Sequence, residues 1–193
     1  MKNIIYTITF FSEWHCGSGL SSGSDMDELV IKDKDGFPYI PGKTLKGLLK
    51  NAAMDISDIQ GNDSAKESFI TGFFGFFDDK TDEDSSVHTQ GKGYFTNAVI
   101  NPSLKEKSIN IKDFFYKAIS STTIDDEGIA KDNSLRRIET TIPCVLYASI
   151  YDVDEKYISD IKQCMKWIKR MGMNRNRGLG RCRFEILDQK EGK

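Results

Sequence analysis

At 193 residues and a formal net charge of −2, the chain is long enough for one domain with a sizeable core and too short for two. The near-neutral balance excludes a generic DNA-coating protein, whose affinity depends on many Lys and Arg neutralising phosphates. Charge is unevenly placed, however. Eight basic residues and no acidic one fall between positions 162 and 183, and positions 78–84 are mostly acidic, so a local basic face is available. Cys16, Cys144, Cys164 and Cys182 form no CxxC pair, and His15 and His88 are the only histidines. That argues against a structural zinc site and reads Cys144, Cys164 and Cys182 as reduced core residues. No segment reaches the ~20 apolar residues of a membrane span. Residues 4–11 are too short for a leader, run into Glu13 and lack a small-residue cleavage site. A soluble, cytoplasmic protein without membrane partners is expected.

In chain order, residues 4–11 put Ile4, Tyr6, Ile8 and Phe10 on one face and predict a strand. Gly17, Gly19 and Gly23 with interspersed serines then predict a flexible loop, which leads into Asp25 and Asp27. From Lys43 the spacing changes to three and four: Leu45, Leu48, Leu49, Ala52, Ala53 and Ile56 outline an amphipathic helix. Pro41-Gly42 fixes its start and is expected to leave N–H groups uncovered there. Residues 57–92 are irregular, with a Phe73–Phe77 cluster and His88 that read as insertion packing. Residues 94–100 predict a second strand and residues 144–151 a third. The polar segment before that third strand is too long for a simple connector. Asp154 is placed to cap a helix whose apolar face runs from Ile158 through Ile161, Met165 and Ile168 to Met171, with Gly172 as its stop. Residues 181–187 alternate again, with Cys182, Phe184 and Ile186 inward. The order β-α-β-β-α-β is that of an α+β, ferredoxin-like core of the RNA-recognition type. It occupies a single domain over 1–193, with insertions at 57–92 and 101–142.

Four groups of residues could carry chemistry. Residues 172–181 hold three glycines and three arginines; glycines let a backbone approach a phosphate chain, and Arg175, Arg177 and Arg181 can make bidentate contacts to it. Lys43 and Lys46 stand at a helix start, where side-chain charge and helix dipole act together on a phosphate. In the loop, Asp27 is a carboxylate able to bind Mg²⁺ or to position a ribose 2′-hydroxyl, and Asp25 two residues away has the same chemistry. His15 could act as a general base, or join Trp14 in stacking on RNA or contacting its backbone. The aromatic stacking motif of RNA-recognition sheets is absent, so base stacking on the sheet face is not expected.

Several of these segments resemble the RAMP (repeat-associated mysterious protein) superfamily of CRISPR-associated RNA-binding proteins, and among them the backbone subunit of type III interference complexes. Residues 38–47 are similar to the family's "PYIPGSSLKG" helix start, and residues 172–183 to its C-terminal glycine-rich loop. Residues 122–139, ending in Arg136-Arg137-Ile138-Glu139, resemble the insertion that these subunits extend as a thumb-like hairpin. Residues 27–33 resemble "DNPVIKD", with Glu28-Leu29 standing for Asn-Pro. The resemblance implies a filament of such subunits that holds CRISPR RNA against a single-stranded target RNA, with other RAMP subunits and a large effector subunit as partners. It implies RNA contacts by His15, Lys43, Lys46, Arg136, Arg137, Arg175, Arg177 and Arg181. Asp27 is then the carboxylate for endonucleolytic cleavage of target RNA with Mg²⁺ or another divalent cation. Two other readings remain: a non-catalytic guide-binding or capping subunit, and a guide-processing endoribonuclease.

Overall fold

The computed structural model describes residues 1–23, 25–61, 64–77 and 88–187. Strand β1 (Lys2–Phe10) buries Ile4, Tyr6, Ile8 and Phe10, as strand alternation dictates. Helix α1 (Gly42–Gln60) turns Leu45, Leu49, Ala52 and Ala53 to the same core. Its start is fixed by contact with a neighbouring segment. The Gly42 N–H donates to Asn97 Oδ1 at 2.9 Å, and a Cβ on Gly42 would collide with the Phe95 carbonyl oxygen. Only glycine lets the helix begin that close to another backbone.

Helix α2 (Ser64–Phe69) and a π-helical turn (Ile70–Phe74) follow. Phe69, Phe73 and Phe74 pack with Phe95 and Tyr157; the Phe73 and Phe74 rings meet edge-on with centroids 5.0 Å apart. This segment, read from the sequence as insertion packing, contributes Phe69, Phe73 and Phe74 to the main core. Strands β2 (Gly75–Phe77) and β3 (His88–Gln90) form a separate two-stranded sheet. The acidic run at 78–84 and the side chains of Phe77 and His88 lie outside the described residues.

The strand expected over 94–100 is split into β4 (Tyr94–Phe95) and β5 (Val99–Ile100). Between them Ala98 exchanges backbone hydrogen bonds with Ile40, at 2.9 and 3.0 Å, and Asn97 is committed to the start of α1. The strand therefore breaks to hold the beginning of the helix. Helix α3 (Pro102–Ser108) opens with Pro at its first turn, and the Asn101 side chain accepts from the Ser103 N–H at 3.0 Å. A 3₁₀ stretch (Ile109–Phe115) leads into β6 (Tyr116–Ser121), which pairs with β7 (Arg136–Thr141) as an antiparallel hairpin. Then come β8 (Val145–Val153), helix α4 (Ile158–Trp167) and β9 (Cys182–Leu187).

The main sheet runs β4-β8-β1-β9, all antiparallel, with β5 also on β8. Leu45 and Leu49 of α1 and Ile161 and Met165 of α4 share its core. This mixed α/β architecture is consistent with a ferredoxin-like fold. Two boundaries differ from expectation. The Asp154 side chain makes no cap; its carbonyl instead accepts from the Tyr157 N–H at 2.9 Å. Helix α4 stops at Trp167, not at Gly172, because residues 168–171 turn extended and pair with the start of β9. The Met171 N–H donates to Gly180 O at 3.0 Å, and the Cys182 N–H to Lys169 O at 2.9 Å. All four cysteines are free, and burial pushes the thiols of Cys16 and Cys144 up to about 11 and those of Cys164 and Cys182 up to about 12. Among the described residues no helix is long and apolar enough to cross a membrane.

The segment 101–142 divides in two. Its first part packs on the turn at Asp33–Phe37: Lys105 reaches Asp33 and Asp35 at 2.8 and 2.6 Å, and the Tyr116 hydroxyl donates to Gly36 O at 2.7 Å. Among the described residues its far end is held only by itself, through Ser134 with Thr122 and Thr123 and through the Asp125 carboxylate accepting from Glu127 and Ile129. Ile124, Ile129 and Leu135 are exposed there. Replacing residues 122–135 by Asn-Gly, a dipeptide suited to a two-residue hairpin turn, should leave a folded protein. Its melting temperature is expected within about 4 °C of the parent, the effect of roughly 1 kcal/mol at this size; outright unfolding in a calorimetric scan would assign the tip to the core.

Candidate RNA interface

Strand β7 organises the region where the predicted residues meet. Its inner half is fully buried: Thr140 and Thr141 have no exposed surface, and Thr141 exchanges backbone hydrogen bonds with Trp14 at 2.8 and 3.0 Å. Glu139 faces the loop along the same edge. Its carboxylate accepts from the Val30 N–H at 3.0 Å and from the Lys32 ammonium at 2.7 Å, while its carbonyl accepts from His15 Nδ1 at 2.6 Å. The Glu139 N–H in turn donates to Glu28 O at 2.9 Å. Lys32 also lies 3.9 Å from the centre of the Tyr116 ring, an attractive arrangement for a cation on an aromatic face.

At the outer half of β7 the two candidate carboxylates converge on one residue. Asp27 Oδ2 accepts from the Arg137 N–H at 2.7 Å, and the Asp27 N–H donates to Arg137 O at 2.8 Å. Asp25 Oδ1 takes the Arg137 guanidinium at 2.6 Å. Asp27 is exposed, as expected of a loop carboxylate, but it is not loose: it is paired like a strand residue. Each carboxylate spends one oxygen, Asp25 on the guanidinium and Asp27 on the backbone N–H, and each keeps its other oxygen without a partner among the described residues.

The glycine-rich loop is fastened to the same core segment. The Met173 N–H donates to His15 O at 3.0 Å and the Gly180 N–H to Glu13 O at 2.7 Å. Gly172, expected as a helix stop, serves this approach instead: its φ is +92° and a Cβ there would collide with the His15 carbonyl oxygen. Between the two anchors Arg175 and Arg177 sit in a 3₁₀ turn and are exposed, as is Arg181. The Arg175 carbonyl accepts from the Arg170 guanidinium at 3.2 Å. Residues 13–15 therefore join the arginine loop to β7, and β7 joins them to Asp27.

Other predicted residues lie differently. The His15 imidazole has no exposed surface. A carbonyl can only accept, so its Nδ1 carries the proton given to Glu139 O, and Nε2 has no partner among the described residues. Trp14 is buried too, stacked on Phe10 with centroids 4.4 Å apart and donating to Ile142 O at 3.2 Å. Both side chains face inward, and the accessible surface here belongs to their neighbours. Lys43 is exposed and Lys46 half-buried at the start of α1. The N–H groups expected to be uncovered there are largely taken: Gly42 by Asn97, and Thr44 and Leu45 by the Pro41 carbonyl at 2.9 and 3.2 Å. Any anion at this helix start would meet lysine side chains rather than a free backbone. Arg136 is exposed beside Arg137.

Glu139 and Lys32 were not singled out by sequence reasoning. The available signal was alternation along β7, which puts Arg137 and Glu139 on one side, facing a loop rich in carboxylates that also carries Lys32. Among the described residues no group of three or more His, Cys, Asp or Glu is placed to hold a metal ion. Asp25 and Asp27 do not cage an ion. They fit a hard divalent cation only in the sense that Mg²⁺ commonly takes one or two carboxylates and completes its shell with water and substrate phosphate.

No curated protein sequence matches the chain. Among solved structures, a chain in the cryo-EM structure of the Type III-B Cmr-beta bound to cognate target RNA superposes with a TM-score of 0.68 at 12% identity, covering 96% of this chain and 97% of that one. A chain in the cryo-EM apo state of Type III-B Cmr-beta superposes with a TM-score of 0.67 at 14% identity, covering 97% and 98%. Identities this low establish the shared fold. A family profile described as the RAMP superfamily matches residues 7–183, and the chain belongs to that superfamily.

Proposed function

We propose that this protein is a CRISPR RNA-binding backbone subunit of a type III interference complex, and that Asp27 contributes metal-dependent endonucleolytic cleavage of target RNA. The observation that carries the proposal is the convergence of Asp27, Asp25 and Arg137 at the base of an exposed hairpin, on a strand that residues 13–15 join to the arginine-bearing glycine loop. Membership of the RAMP superfamily and a fold shared with chains of Type III-B Cmr-beta, one of them in a structure bound to target RNA, support it. In this reading Arg175, Arg177 and Arg181, with Lys43 and Lys46, hold the guide through its phosphates, and Arg136 and Arg137 meet the guide–target duplex. The β6–β7 hairpin is the thumb that reaches a neighbouring subunit or that duplex.

The chemistry assigned to the chain is modest. The Asp27 oxygen not bonded to Arg137 orients a ribose 2′-hydroxyl and accepts its proton as the 2′-oxygen attacks the adjacent phosphorus. The bond from phosphorus to the 5′-oxygen of the next nucleotide breaks, and that oxygen leaves with a proton from water, giving a 2′,3′-cyclic phosphate and a 5′-hydroxyl. Arg137 offsets the negative charge of the two aspartates, which would otherwise repel RNA. A divalent ion held by Asp27 together with RNA phosphate oxygens would neutralise phosphate charge as a Lewis acid. One observation favours a second reading, a non-catalytic guide-binding or capping subunit: both aspartates already have protein partners. The guide-processing endoribonuclease has less support, since its candidate base, His15, is buried.

Two outcomes are expected. Binding to single-stranded RNA should be nearly independent of sequence, and Arg175→Ala with Arg177→Ala should weaken it evenly across guides while lowering the salt slope by about 0.7 for each phosphate no longer neutralised. Filter binding over a salt series reads both; strong preference for one base sequence would contradict the backbone-contact account. For cleavage, Asp27→Asn keeps an acceptor for the Arg137 N–H and removes only charge, so stability should move by less than about 0.5 kcal/mol, the usual range for a surface change. The rate on labelled target RNA with Mg²⁺ should fall by roughly a hundredfold or more, and EDTA should abolish it in the parent. Full activity in Asp27→Asn with loss in Asp25→Asn would move the role two residues upstream. No cleavage by the parent complex with any metal would select the non-catalytic reading.

A further inference from the structure

A second feature lies on the far side of the glycine-rich loop, between α4 and the outer strand β9. A groove of roughly 650 Å³ runs there, walled by Lys166, Lys169, Arg170, Arg181 and Arg183 with Phe11 among them. All five cations are exposed. The single carboxylate on the wall, Glu185, lies 3.5 Å from Arg183 and offsets only part of that charge. Phe11 does not belong to the core. Phe10 takes the inward position and stacks on Trp14, so alternation turns Phe11 outward, where it remains 47% exposed. Its position is fixed by its N–H donating to Arg181 O at 2.8 Å. The guanidinium carbons of Arg183 and Arg181 lie 5.3 and 6.0 Å from its ring centre.

An exposed aromatic ring set on a rigid strand end among cations has one ordinary use. Stacking platforms flanked by positive charge hold single-stranded nucleic acid, with bases on the ring and phosphates on the cations. An acidic protein segment would use the cations and leave the ring without a role. The groove is also continuous with the arginine loop: Arg170 pairs with Arg181 across the backbone and donates to Arg175 O. We infer that this groove is a second track for single-stranded RNA, in which a base stacks on Phe11 and the phosphates that leave the glycine-rich loop run past Arg181 and Arg183 toward Lys169 and Lys166. The inference rests on the reading that the loop holds RNA, and adds a stacking site that residue pattern alone does not suggest.

The test uses the full chain and oligouridylate of about 20 nucleotides containing 4-thiouridine. Phe11→Leu, which keeps an apolar side chain and loses the stacking face, should weaken binding roughly tenfold. Lys166→Glu with Lys169→Glu should lower the salt slope by about 1.4, as expected when two phosphates of a single strand are no longer neutralised. Crosslinks mapped by mass spectrometry should fall on the peptide containing Phe11 in the parent and fade in Phe11→Leu. If Phe11→Leu and the lysine pair bind as the parent does while Arg175→Ala with Arg177→Ala does not, the groove is no RNA track and the loop reading stands. If the loop variant also binds as the parent does, the loop reading itself fails, and this inference with it. If the lysine pair leaves RNA affinity intact but blocks assembly with other subunits, the groove is a protein interface and the inference is overturned.

Discussion

Glu139 is a carboxylate with almost no contact with water, and four residues more than a hundred positions before it are bonded to it or to its backbone. Val30 and Lys32 come from the loop after β1, His15 from the end of that strand's outgoing segment, and Glu28 from the acidic stretch between them. A buried acceptor of this kind contributes less through its pairing than it would cost if left half-paired. Removing the carboxylate would strand the Val30 N–H and the Lys32 ammonium, at a cost of about 1–3 kcal/mol for a buried unmet partner. The Lys32 end is partly solvated, with 35% of its side chain exposed against 12% for Glu139, so the attraction itself is a minor part of that figure. The constraint is geometric: with Glu139 in place, the segment carrying Asp27 has only one register against β7.

That register explains why a flexible-looking loop can present a functional group. Glycine and serine around residues 17–23 cannot pack, and such a loop would be expected to wander. It is instead paired to β7 residue by residue, from Asp27 at Arg137 to Val30 at Glu139, and to the preceding segment through Ser18 with Leu29 and Ile31 with Cys16. Strand β7 consequently has two lives. Its inner residues are core, and its outer residues, with Arg136 and Arg137, begin the exposed hairpin. Whatever the hairpin touches is mechanically joined to the carboxylates by two or three residues of one strand.

Much of this was legible in the sequence, and the failures have physical causes. Alternation gave β1, β8 and β9, and three–four spacing gave α1 and the body of α4, because those patterns report which face is buried. Pattern does not report what backbone does when a neighbour competes for it. The strand at 94–100 broke because Ala98 and Asn97 pair with Ile40 and Gly42. Helix α4 ended early because residues 168–171 pair with the chain near Gly180. The N–H groups at the start of α1 were taken by Asn97 and the Pro41 carbonyl. At the site, residue type singled out Asp27 and the arginine loop, but the burial of Trp14 and His15 was not foreseen. Trp14 and His15 are inside because β7 covers them, a contact between residues more than a hundred positions apart. Phe11 is outside because Phe10 already holds the inward place.

Hydrogen–deuterium exchange on Glu139→Gln tests most directly whether this carboxylate sets the register of the Asp27 segment. Glutamine keeps the size and one acceptor but turns an amide toward the Lys32 ammonium. The amides of Asp27, Leu29, Val30 and Ile31 should then lose protection together, while those in the centre of β1 and β8 keep theirs. Unchanged protection across residues 27–31 would show that the segment holds its place without Glu139 and would contradict the account.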